Sequence, residues 1–106
     1  LWTWRLKRSR ERYRRQAQYD ALTGVAARQH FMALAVTALA DCRRIGQPAA
    51  LVVIDLDHFK QINDAYGHVV GDEVLRRAVA ACAPRLGERG LFGRLGGEEF
   101  GVLLPG

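Results

Sequence analysis

Two acidic clusters hold the side chains best suited to chemistry. Asp55 and Asp57 stand in Ile54-Asp55-Leu56-Asp57, and Glu98 and Glu99 follow Gly96-Gly97. Side chains two apart in an extended segment share a face, so Asp55 and Asp57 point together. Unpaired carboxylates gathered at one spot repel, and such a cluster calls for a cation. All-oxygen ligands favour Mg²⁺ or Mn²⁺, and Mg²⁺ normally arrives with phosphates. Gly96-Gly97 leaves the turn without side chains, so a ligand can approach its backbone closely. The physical reading is a Mg²⁺–nucleotide site on a hairpin. The competing reading, solvated loop charges, has force for Asp57 alone. It has little for Glu98 and Glu99, because two adjacent acids gain nothing structural in a tight turn.

Other chemistries fail on residue type. Asp55-Leu56-Asp57-His58-Phe59-Lys60 opens like a calcium loop but has Phe and Lys where Asp/Asn and Gly are needed. No GxxxxGK[ST] phosphate loop occurs. The single serine, Ser9, lies in a basic segment and supports no catalytic triad. Cys42 and Cys82 fall on apolar helical faces without zinc spacing, which fits reduced, buried thiols.

The elements that must position these acids follow from apolar spacing. Phe31, Leu34, Ala35, Ala38, Leu39, Cys42 and Ile45 recur at helical intervals and predict a helix over 28–46, ended by Gly46-Gln47-Pro48. Ala50-Leu51-Val52-Val53-Ile54 predicts a strand buried on both faces. Residues 58–71 read as polar and turn-like. Asp72 is a candidate cap for a helix over 73–86, with Val74, Leu75, Ala78, Val79, Cys82 and Leu86 inward. Strands over 91–95 and 100–104 form a hairpin with Gly96-Gly97 at its turn. If that hairpin lies beside the first strand, the two acidic clusters converge. Three strands with helices on one face predict an α+β sheet domain. The ending Leu103-Leu104-Pro105-Gly106 predicts an uncovered edge strand and further elements C-terminal to it.

The 106 residues carry a formal net charge of +5. Residues 1–15 hold seven Lys/Arg against one Glu, whereas residues 16–106 hold nine against ten acids. The basicity belongs to one short segment, so a nucleic-acid groove on the domain is not supported. Residues 1–19 read as a basic linker helix, with Leu6 and Tyr13 a heptad apart. Trp2 and Trp4 directly before Arg5, Lys7 and Arg8 fit the cytoplasmic side of a membrane span lying upstream. The expectation is therefore a cytoplasmic domain, residues 20–106, attached to the inner membrane or to a sensor segment.

Gly96-Gly97-Glu98-Glu99-Phe100 resembles the signature of the GGDEF family, the diguanylate cyclases. Asp20-Ala21-Leu22-Thr23-Gly24 is similar to the family's D-x-L-T-G start. Asp55-Leu56-Asp57-His58-Phe59-Lys60-Gln61-Ile62-Asn63-Asp64, then Gly67-His68 and Gly71-Asp72, match its D-x-D-x-F-K-x-I-N-D-x-x-G-H-x-x-G-D stretch. Three ordered motifs over residues 20–106 make the resemblance specific. It covers most of the N-terminal part of such a domain.

The resemblance implies a palm-like α+β fold related to adenylyl cyclases. Its core would be ferredoxin-like, with an antiparallel sheet and helices on one face, preceded by an N-terminal signalling helix. It implies condensation of two GTP into cyclic di-GMP by a homodimer, with Mg²⁺ or Mn²⁺; the alternative is a non-catalytic GTP-binding or signalling module. By matching positions, Asp55 and Glu98 would bind metal with the Leu56 carbonyl, and Glu99 would share in metal or ribose handling. Asn63 and Asp72 would read guanine. Lys60 and the backbone at His58 and Phe59 would hold phosphates, and Gly97 would sit against the ribose. The Phe59 and Ile62 side chains read as core, and His68 as a loop hydrogen-bonder. Two departures stand out: Ala27 precedes Arg28 where the family often has Asn, and Gly87 and Gly90 replace an inhibitory R-x-x-D pair.

Overall fold

The computed structural model describes residues 18–106, so the linker heptad and the two N-terminal tryptophans lie outside the described residues. The described chain starts with a closed turn. Asp20 N–H donates to the Val25 carbonyl at 2.7 Å and Gly24 N–H to the Asp20 carbonyl at 2.8 Å. A two-residue strand, β1 (Ala26–Ala27), leads into α1 (Arg28–Ile45). Gly46 ends α1 in the left-handed region at φ 73°, and its N–H and that of Gln47 close the last turn on Arg43 and Cys42 carbonyls.

Next come β2 (Ala49–Asp55), α2 (Phe59–Tyr66) and α3 (His68–Cys82), then a 3-10 turn at Ala83–Arg85 that carries Pro84. β3 (Leu91–Arg94) and β4 (Glu99–Pro105) complete the sheet, whose strand order is β1-β3-β4-β2. The segment expected to be turn-like over 58–71 contains α2 and the start of α3. Its polar residues occupy the exposed face of a short helix, which hid its period. Asp72 is consequently not a cap: α3 starts four residues earlier, after Gly67 at φ 89°.

β4 pairs antiparallel with both β3 and β2, as an antiparallel sheet requires, but β1 joins β3 in parallel, so the sheet is mixed. The helices also divide between two faces rather than sharing one. Residues opposite each other across a ladder point the same way, and the two apolar clusters sort accordingly. Phe31 and Ala35 of α1 pack with Ala26, Leu91 and Leu103 on one face. Leu75 and Val79 of α3 and Phe59 of α2 pack with Ile54, Phe92 and Phe100 on the other. Phe92 and Phe100 meet edge to face at 5.6 Å there.

Among the described residues β4 lies between β3 and β2, with Leu103 fully buried, and β2 pairs on one side, where Leu51 and Val53 are 59% and 57% exposed. An apolar run reads as a doubly buried strand whatever its neighbours, and only the strand order shows that β2 has a partner on one side. Cys42 is buried and Cys82 half-buried, both as free thiols. No helix among the described residues is long and apolar enough to cross a membrane.

Candidate functional site

The β2–β4 register brings Asp55 against Glu99. Asp55, the last residue of β2, lies directly opposite Glu99, the first of β4. One step further, Leu56 N–H donates to the Glu98 carbonyl at 3.2 Å. That bond makes Leu56/Glu98 a hydrogen-bonded pair and Asp55/Glu99 the adjacent non-bonded kind, in which side chains approach most closely. Like charges directly opposite cost stability. Among the described residues, Asp55, Glu98 and Glu99 make no side-chain hydrogen bond or ion pair that would offset this.

The backbone of the turn is held far more firmly than its carboxylates. Each of the five consecutive carbonyls from Leu95 to Glu99 accepts a hydrogen bond. Arg28 Nη1 reaches the Leu95 carbonyl at 3.5 Å. Arg94 donates from Nε to Gly96 at 3.2 Å and from Nη2 to Gly97 at 2.7 Å. Leu56 takes Glu98, while Leu95 and Gly96 N–H groups share Glu99 at 2.8 and 3.3 Å. The remaining Arg94 nitrogen, Nη1, ion-pairs with Asp20 at 3.2 and 3.3 Å. Asp20 also accepts from the Thr23 N–H at 2.9 Å and the Thr23 hydroxyl at 2.6 Å. Arg94 escaped the sequence reading. The signal available was an arginine on the Phe92 face of an otherwise apolar strand.

Burial pushes the Asp20 carboxyl up, but the Thr23 hydrogen bonds and the Arg94 charge outweigh it and hold the group below the ordinary aspartate value. A depressed folded pKa contributes stability above the unfolded value, which is lost as pH falls through the folded one. Asp20→Asn in the full-length protein should therefore lower stability at pH 7 by about 1–3 kcal/mol. Below about pH 4 the gap should begin to narrow. Urea midpoints at pH 7 and pH 3 check this, and equal midpoints at pH 7 would refute it.

The loop from β2 to α2 carries the next group. His58 is the only described non-glycine residue at positive φ, 59°, immediately before α2. Such a conformation costs free energy and persists where the surroundings impose it. The first bond of α2 runs from the Ile62 N–H to the His58 carbonyl, so the N–H groups of Phe59, Lys60 and Gln61 have no helical acceptor. The Phe59 side chain is buried in the core and Lys60 is exposed. Gly97 faces open space, and Gly96 packs 3.5 Å from Glu99 Oε1 at its Cβ position.

Asn63 of α2 packs against Gly71 of α3, the residue before Asp72. Gly71 leaves room for the Asn63 amide; a Cβ there would collide with Asn63 Oδ1. That oxygen is buried with no hydrogen-bond partner among the described residues, a state that ordinarily costs about 1–3 kcal/mol. His68 is exposed at the start of α3. No group of three or more His, Cys, Asp or Glu side chains gathers into a metal cage among the described residues. Mg²⁺ commonly uses one or two carboxylates and completes its shell with phosphates and water, and Asp55 and Glu99, opposite each other, with Glu98 and the Leu56 carbonyl one residue away, are oxygen donors of the kind that ion takes.

Comparison with known proteins agrees with this geometry. A family profile described as "Diguanylate cyclase, GGDEF domain" matches residues 17–106. "Probable diguanylate cyclase DgcC" of Escherichia coli (strain K12) is 40% identical over 82% of this chain, which spans 24% of that protein. "Cyclic di-GMP phosphodiesterase NbdA" of Pseudomonas aeruginosa is 40% identical over 85% of the chain, which spans 12% of it. Among solved structures, the coiled coil and GGDEF domain of DgcB from Caulobacter crescentus, in complex with c-di-GMP, superposes with a TM-score of 0.85. It shares 34% identity over 97% of this chain and 54% of its own. The chain thus spans about a quarter or less of the two curated relatives and about half of the solved one.

Proposed function

This chain belongs to the GGDEF domain family, and on that premise we propose that the protein containing it is a diguanylate cyclase, joining two GTP into cyclic di-GMP. The observation that carries the reading is Asp55 directly opposite Glu99, with Glu98 beside it, on a turn whose carbonyls from Leu95 to Glu99 are all tied down. Two unpaired acids held against each other on a fixed backbone have no structural use and suit a cation with phosphates.

In this reading Asp55 and Glu98, with the Leu56 carbonyl, would hold Mg²⁺ or Mn²⁺, and Glu99 would share in metal or ribose handling. The metal would neutralise triphosphate charge and ease departure of pyrophosphate. Lys60 and the open N–H groups around His58 and Phe59 hold phosphate oxygens, aided by the start of α2. Gly97 leaves space for the ribose. Asn63 and Asp72 take the guanine edge, with Asp72 accepting from N1–H and the 2-amino group. The 3′-hydroxyl of one GTP attacks the α-phosphate of the other and pyrophosphate leaves with the bonding pair. The reciprocal attack closes the ring. Two half-sites must face each other, so the working species is a homodimer, and positioning supplies much of the acceleration.

The full-length protein is expected to form cyclic di-GMP from GTP with Mg²⁺ or Mn²⁺. Adenine has no 2-amino group and no N1–H, so it leaves buried acceptors unpaired at about 1–3 kcal/mol. GTP should therefore be preferred over ATP by about 10- to 100-fold in kcat/KM. Chromatography of the products of each nucleotide tests both points, and equal turnover of ATP would refute the base assignment. A second reading, a GTP-binding signalling module without turnover, draws support from the likeness to a protein named as a phosphodiesterase. GTP binding with no product would select it.

A further inference from the structure

We infer that Arg94 is a positioning residue for the acidic turn and that the Asp20–Thr23 turn holds Arg94 in place. The inference rests on the cyclase reading for its catalytic consequence alone. The Arg94 guanidinium uses all three nitrogens: Nη1 on Asp20, Nε on the Gly96 carbonyl and Nη2 on the Gly97 carbonyl. A planar fork with fixed donor directions can satisfy such a set, whereas an ammonium on a flexible stem cannot. Its side chain is 21% exposed and that of Asp20 is 19%, so water competes weakly for the ion pair between them.

Geometry then links two places 74 residues apart in sequence. Glycines at 96 and 97 make the turn permissive toward ligand but also leave its backbone free to wander. Binding two successive glycine carbonyls removes that freedom one residue before Glu98. Asp20 is itself fixed by Thr23 and by the ring of backbone bonds that closes the turn to Val25. A shift of the chain entering at Tyr19 therefore moves Asp20, and through Arg94 the two glycines that set where Glu98 and Glu99 stand. The placement of the residues before the domain becomes a control on the site.

Arg94→Lys and Asp20→Asn in the full-length protein test this. Misplacing a reactive group by about 1 Å costs roughly 100-fold in rate. Arg94→Lys should thus lower kcat for GTP about 10- to 100-fold while KM stays within about threefold. Amide exchange gives a readout independent of turnover. In both variants the Leu95 and Gly96 N–H groups should exchange about tenfold faster or more, while Val52 and Val102 in the β2–β4 ladder keep their rates. Unchanged exchange at Leu95 and Gly96, or an equal rise in the ladder, would overturn the inference. So would a loosened turn with unaltered kcat in an active enzyme. If the wild-type protein makes no cyclic di-GMP, the cyclase reading falls, and the exchange measurement still decides the structural coupling.

Discussion

Glu98→Gln in the full-length protein is expected to reduce cyclic di-GMP formation by about 100-fold or more, and Asp55→Asn to do the same, with the fold intact. Removing one preorganised group that stabilises developing charge costs about 100- to 1,000-fold in other enzymes. The separation of chemistry from folding follows from the site's own electrostatics. Asp55 faces Glu99 across the ladder, and Glu98 is joined to β2 only through its backbone carbonyl. Neutralising Asp55 removes a like-charge contact worth about 0.2–1 kcal/mol of destabilisation. Its thermal midpoint should therefore hold or rise while activity is lost. Product formation from GTP, read beside a melting curve, decides the matter. Undiminished turnover in either variant would sink the metal assignment, and a collapsed melting curve would make the loss uninformative about chemistry. In that event, binding of Mn²⁺ to Glu98→Gln gives the independent measure: retained binding would count against Glu98 as a ligand.

The second large effect lies in the core beneath the site. Gly93 of β3 and Gly101 of β4 face each other across the ladder. The ring of Phe31 from α1 lies across this bare pair. A Cβ at Gly101 would come within 2.9 Å of it, and one at Gly93 would overlap it. Phe31 is 1% exposed, so it has nowhere to retreat. The two glycines thus form a slot that lets a large aromatic sit against the sheet backbone, an aromatic cover for strand glycines. Phe31→Ala should cost about 3–5 kcal/mol. Gly93→Ala should cost about 1–3 kcal/mol through overpacking. Combined, the two should fall short of additivity by about 1 kcal/mol or more, because the smaller side chain vacates the space the new methyl needs. Urea unfolding of the four proteins measures this coupling. Additive losses would show that the methyl and the ring do not compete.

Local residue order alone pointed to the candidate site acids and the helical cores. Asp55 and Glu98-Glu99 are recognisable because acids at strand ends beside paired glycines have no structural rationale, and their spacing within the longer motifs is specific. The Phe31, Ala35, Ala38 and Cys42 row is legible because a helix repeats every 3.6 residues whatever surrounds it. The α2 segment was not, since eight residues with one buried position give too little period to read. What lay beyond local pattern was decided by long-range pairing. Period two assigns strand residues to faces but not strands to neighbours, so it could not show that β4 lies between β3 and β2. The same limit hid the division of the helices between two faces and the short parallel strand β1. It also hid Arg94, whose partners at Asp20, Gly96 and Gly97 converge only once the hairpin and the first turn have docked. A guanidinium's role depends on which acceptors stand within its reach, and that is set by tertiary structure, because residues 74 apart in sequence become neighbours only through the fold.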